Sequence, residues 1–96
     1  MASLTAISLL QADLGLHDPP EPVLDLMKLD LDAAVSELGT FHIPADESSP
    51  AYLRLEVMYA AWLYRKRVNG DEMPAMLRYA INNYKVRSVI TEVTPV

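Results

Sequence analysis

The sequence predicts an all-α fold: a small four-helix bundle with a long central helix and an extended C-terminal tail. Three observations carry this. Apolar residues recur at spacings of three and four in four separate stretches, and prolines and glycines punctuate the gaps between them. An apolar fraction of 51% in 96 residues is enough for one modest core and too little for two.

Helix one is expected over about 4–15. Ser3 can cap it, Leu4, Ile7, Leu10 and Leu14 form its stripe, and Gly15 ends it. The proline-rich His17-Asp18-Pro19-Pro20-Glu21-Pro22 reads as a linker whose last proline can open helix two, over 22–38. There the apolar positions Leu24, Met27, Leu31, Ala34, Val35 and Leu38 oppose Asp25, Lys28, Asp32 and Ser36, and Gly39 is placed to end the helix. Thr40 to Ser49 breaks the period and reads as a loop. Ser49-Pro50 then caps and starts helix three, which runs to about Val68, before Asn69-Gly70. Its centre, Val57 through Leu63, is almost wholly apolar, which predicts a place in the middle of the bundle, and Ala60-Ala61 permits close approach. Asp71-Glu72-Met73-Pro74 opens helix four, over 73–86, with Met73, Leu77, Ala80, Ile81 and Tyr84 facing the core. The β-branched run after Val86 reads as extended, so residues 1–86 form the helical domain and 87–96 the tail.

The net charge of −5 is unevenly divided. Residues 1–50 carry nine acids against Lys28, a net −8, and residues 51–96 carry four acids against seven bases, a net +3. Opposite-signed halves can pair within a subunit or between copies. The overall acidity argues against nonspecific DNA binding. There is no cysteine, hence no disulfide framework or thiolate metal site. The first residues lack the basic segment of a secretory leader, and no apolar run reaches the length of a membrane span.

The inventory for catalysis is thin. His17 sits in the proline linker, His42 in a loop, and no His-x-x-x-His or paired His–carboxylate spacing occurs, so neither an enzyme nor a metal or cofactor site is expected. Asp30-Leu31-Asp32 faces two directions on a helix and reads as part of a solvated face. Arg65-Lys66-Arg67 stands in the last turn of helix three, where cations offset the helix dipole, although an acidic partner or phosphates could also use it. Trp62 and Tyr84 are expected in the core, and Tyr52 and Tyr59, which share a side with Glu56 and Lys66, at an interface.

The order of these elements resembles the small head–tail connector (adaptor) proteins of long-tailed bacteriophages and related prophages. The resemblance covers the whole chain and lies in pattern more than in a strict motif. It rests on Leu9-Leu10-Gln11-Ala12-Asp13-Leu14-Gly15-Leu16, the Leu24 to Leu38 helix, the run from Ala51 to Arg67, and Met73-Pro74-Ala75-Met76-Leu77 with Tyr84-Lys85-Val86-Arg87. Family members tend to end a proline-led last helix in a Tyr-Arg-like pair, whereas Tyr84 and Arg87 here stand three apart.

The resemblance implies a structural virion protein, made in the host cytoplasm, that forms a homo-oligomeric ring, a dodecamer in the particle. The ring would sit on the portal protein, contact a head-completion or tail protein, and line the channel through which DNA passes without sequence-specific binding. On this reading Asp25, Asp30, Asp32, Tyr52, Tyr59, Arg65, Arg67 and Arg78 are candidates for the contact between subunits. Arg87, Val89, Ile90 and Val93 are candidates for portal docking, by strand addition or by threading into a groove. The alternative is a small helical DNA-binding regulator that sets Arg65 to Arg67 and Arg78 on phosphates. A small enzyme subunit or accessory protein is the weakest of the three readings.

Overall fold

A computed structural model describes residues 3–93, with side chains through Arg87. Four helices follow one another, α1 (Leu4–Leu14), α2 (Glu21–Thr40), α3 (Pro50–Asn69) and α4 (Ala75–Val93), and no strand occurs among the described residues. The all-α class and the long central helix are as the periodicity predicts.

The helix starts follow the capping chemistry. The Ser3 hydroxyl accepts from the Ala6 amide at 3.0 Å, and that of Ser49 accepts from the Tyr52 amide at 3.3 Å, with Pro50 in the first turn of α3. Pro20 precedes α2 in extended geometry, and Pro74 takes the same place before α4, its carbonyl accepting from Leu77 and Arg78.

The ends of α1 and α2 share one device. At α1, Leu16 bonds back to the Gln11 carbonyl and Gly15 to that of Ala12, with Gly15 left-handed at φ 70°. At α2, Ile43 bonds to Leu38 and His42 to Gly39 in the same pattern, and Ile43 and Leu38 are both buried. The left-handed residue there is His42, at φ 66°. Gly39 therefore does not end α2 as expected. It lies inside the helix, and a histidine takes the conformation a glycine would adopt without steric cost.

Helix α3 is the hub. It packs on α1, α2 and α4, while α4 packs on α3 and on neither α1 nor α2. The core consists of Ala6 and Leu10 from α1, Met27, Leu31, Ala34 and Leu38 from α2, Ile43 from the loop, a broad face of α3, and Leu77 and Ile81 from α4. Of the stripes expected for α2 and α4, Met27, Leu31, Ala34, Leu38, Leu77 and Ile81 are buried, while Leu24, Val35, Met73, Ala80 and Tyr84 are half-buried. In α1 the inner face centres on Ala6 and Leu10, and Leu4 is exposed.

Two expectations need correction. Helix α4 continues through Val93, so residues 87–93 are helical rather than extended; residues 94–96 lie outside the described residues. Each β-branched residue lowers helix propensity by only a few tenths of a kcal/mol, and no proline or glycine interrupts the sequence between Pro74 and Pro95 to stop an established helix. Trp62 and Tyr84 pack at the margin of the core and are half-buried. The Trp62 Nε1 donates to the Asp71 carbonyl at 3.2 Å and its ring meets Tyr59 edge-on at 5.4 Å, an arrangement that keeps the indole N–H near the surface.

The end of α2 yields a prediction. His42→Gly should raise unfolding free energy by about 0.5–1 kcal/mol, the left-handed strain relieved less the extra freedom of glycine in the unfolded chain. Chemical denaturation measures it, and a loss of stability would show that the His42 side chain contributes more than its backbone costs.

Candidate interaction site

The expected interface residues divide sharply on burial and pairing. Tyr52 and Tyr59 are core residues, 0% and 2% exposed, and do not present an interface. Tyr59 donates its hydroxyl to the Glu37 carboxylate of α2 at 2.8 Å, and the Tyr52 ring meets Tyr84 of α4 edge-on at 6.3 Å. The misleading signal was Glu56. Its charge suggested a solvated side for α3, but Glu56 is itself 0% exposed.

Asp30 is buried and receives both Arg67 guanidinium nitrogens at 2.8 Å each, a bidentate pair that ties the middle of α2 to the end of α3. The hydrogen bonds to Asp30 hold the Arg67 guanidinium above its usual pKa. Arg65 reaches the Asp13 carbonyl at 3.3 Å and its carboxylate at 3.7 Å. Two of the expected inter-subunit charges, Asp30 and Arg67, thus close on each other within the chain, and Arg65 closes on α1. Asp25, Asp32 and Arg78 are exposed. Arg87 is exposed as well, and the side chains of Val89, Ile90 and Val93 lie outside the described residues.

Because α4 rests on α3 alone, a groove of about 400 Å³ opens along their outer junction. Arg54, Met58, Met76, Tyr79, Asn83 and Arg87 border it, and no carboxylate lines it. Met76 and Tyr79 are 75% and 66% exposed and stand together at the groove's edge. A second trough of about 640 Å³ between α1 and α3 shares Arg54 and Met58, so the outer face of α3 is open on both sides. No ion pair with another described residue engages Arg54, Arg78 or Arg87. None of this surface was singled out by periodicity, since Met76 and Tyr79 look like ordinary members of an amphipathic helix.

Beneath the surface lies a second feature the sequence did not reveal. Neither Glu56 oxygen, nor the Tyr52 hydroxyl one turn earlier, has a hydrogen-bond partner among the described residues. Burial first, then a long side-chain hydrogen bond with Glu47 that falls outside close hydrogen-bond geometry, and the charges of Glu47 and Asp32, push the Glu56 pKa up to about 8. Burial and then Glu56 push Tyr52 up to about 12. Burial beside a second carboxyl therefore favours the protonated, neutral form of Glu56.

No group of three or more histidines and carboxylates among the described residues is placed to hold a metal, and none of their helices is long and apolar enough to cross a membrane. Comparison with protein-family profiles, with curated proteins and with solved structures finds no match for the chain.

The Glu56 environment sets a pH dependence. Its folded pKa lies above the value of an unfolded chain, so its contribution to stability is intact below about pH 4.5 and is lost as pH rises toward and through about 8. Glu56→Gln, which stays neutral, should unfold like the parent at pH 5 and be more stable at pH 9, by an amount on the order of a few kcal/mol. Parallel denaturation profiles for the two proteins from pH 5 to 9 would contradict a buried neutral carboxyl.

Proposed function

We propose that this chain is a structural head–tail connector of a long-tailed phage or prophage, forming a ring on the portal and joining capsid to tail around the DNA channel. The observation that carries this reading is the placement of α4. A helix that rests on α3 alone and runs on to Val93 suits an arm that reaches a neighbouring protein. The whole-chain pattern resemblance supports the same assignment.

Portal docking is assigned to the end of α4 beyond Arg87, with Val89, Ile90 and Val93, while Arg87, expected with them from the sequence, borders the groove instead. The helical path through Val93 changes the mode. Positions 86, 89, 90 and 93 recur at i, i+3, i+4 and i+7, the anchor spacing of a helix laid in a partner's groove, where an extended tail would instead have added a strand. The remaining exposed charges, Asp25, Asp32 and Arg78 among them, are assigned to contacts between neighbouring copies, with DNA passing through the channel unread.

The DNA-binding regulator has less support. It needs the cations at the end of α3, and there Arg67 is held by Asp30, Arg65 reaches Asp13, and Lys66 lies 5.0 Å from the Trp62 ring centroid. Net acidity further weakens attraction to phosphates.

The test is a chain shortened after Arg87, assayed against the portal protein encoded in the same genome. It should keep its melting temperature within a few degrees and lose portal capture, because the described part of α4 already meets the core through Leu77 and Ile81, with Ala80 and Tyr84 beside them, upstream of the cut. Retained capture by a destabilised chain would show that the last segment serves the bundle and not a partner.

A further inference from the structure

The groove between α3 and α4 has apolar walls and arginines without an acid, and α2 carries an exposed strip with leucines and carboxylates that complements it. On α2, Asp25 and Leu29 lie opposite the buried stripe of Met27, Leu31, Ala34 and Leu38, with Glu21 and Leu26 on the two flanks and the exposed Lys28 beside Asp25 on the Glu21 flank. All five are exposed, Leu29 to 60% and Leu26 to 40%. The result is a ridge with Asp25 and Leu29 at its crest and Glu21 and Leu26 along its flanks. The groove offers the complement, with Met58, Met76 and Tyr79 as an apolar floor and wall, Arg54 and Arg87 as its charges, and no acid.

Dimensions agree. From Glu21 to Leu29 the ridge is about 12 Å long at 1.5 Å per residue, and Met76 to Arg87 spans about 16 Å on the same basis. We propose that the Asp25–Leu29 ridge of α2 in one copy seats in the α3–α4 groove of a second copy, head to tail. The proposal rests on the ring-forming part of the connector reading, and it names the two surfaces that would make that contact.

The apolar side chains would supply most of the attraction, since exposed ion pairs contribute little, and the arginines would fix register and orientation. Because ridge and groove are different surfaces, each copy that fills a neighbour's groove leaves its own open for the next. Such a contact continues until it closes into a ring or grows as a filament.

The absence of cysteine in the sequence makes the test clean. One protein carries Leu29→Cys, a second Met76→Cys, and a third Val68→Cys, an exposed α3 position outside both surfaces. Under a mild oxidant, equimolar Leu29→Cys and Met76→Cys should form a disulfide-linked dimer, and Leu29→Cys with Val68→Cys should not. In sedimentation velocity the unmodified chain should self-associate reversibly and less strongly at higher salt. Arg54→Glu with Arg87→Glu should weaken this on the order of tenfold, and adding Glu21→Arg with Asp25→Arg should restore much of it.

A chain that stays monomeric at millimolar concentration overturns the proposal and leaves the groove to a different protein. So does crosslinking that is equal at Met76 and Val68. Rings that persist unchanged in the Arg54→Glu, Arg87→Glu protein also overturn it while leaving the connector reading intact. Open filaments linked through Leu29 and Met76 would uphold ridge and groove and remove the closed ring on which the connector reading depends.

Discussion

Helix α3 must hide an almost uninterrupted apolar centre, and the chain has only three other helices with which to do it. Helices α1 and α2 pack against α3 and against each other, and α4 leans on α3 alone. Single-sided contact is the source of the groove. The connection from Gly70 to Pro74 joins α3 to α4 directly, and α4 follows α3 without reaching α1 or α2 among the described residues. The resulting body is elongated, with principal extents of 49, 27 and 20 Å.

The burial of α3 also explains two polar groups that make no close hydrogen bond among the described residues. Glu56 and Tyr52 stand one turn apart on a face that is covered because its neighbours Leu55, Val57, Tyr59 and Ala60 must be covered. A neutral carboxyl is tolerated there far more readily than a carboxylate. The contrast with Asp30 is instructive. Asp30 is nearly as buried, but the bidentate Arg67 arrives from the far end of α3 and stabilises its charge, so that pair fixes the alignment of α2 on α3.

Helix number, core stripes and capping residues were legible because they are set by spacing within one segment. Ser3, Gly15, Ser49, Pro50 and Gly70 act where local chemistry says they should. What could not be read depended on partners distant in sequence. Asp30 and Arg67 are 37 residues apart, Tyr59 and Glu37 are 22 apart, and no periodicity links either pair. Glu56 was misplaced for the same reason, since a charge in an apolar stretch reads as a solvated edge until its environment is known. The end of α4 differs for another reason. The β-branched residues after Val86 carry only weak preferences against helix, and with no helix breaker before Pro95 an established helix outweighs them. The groove could not be anticipated from any one helix, because it exists only where two fail to cover a third.

Completion of the outer face of α3 and α4 by another copy of the chain, through the ridge of α2, can be tested without any substitution by amide hydrogen exchange across a wide range of protein concentration. Protection should rise with concentration in residues 51–58 and 76–87 and in residues 21–33 together, while the end of α1 and the α2–α3 loop do not change. Protection independent of concentration at both surfaces, or confined to one of them, would contradict it.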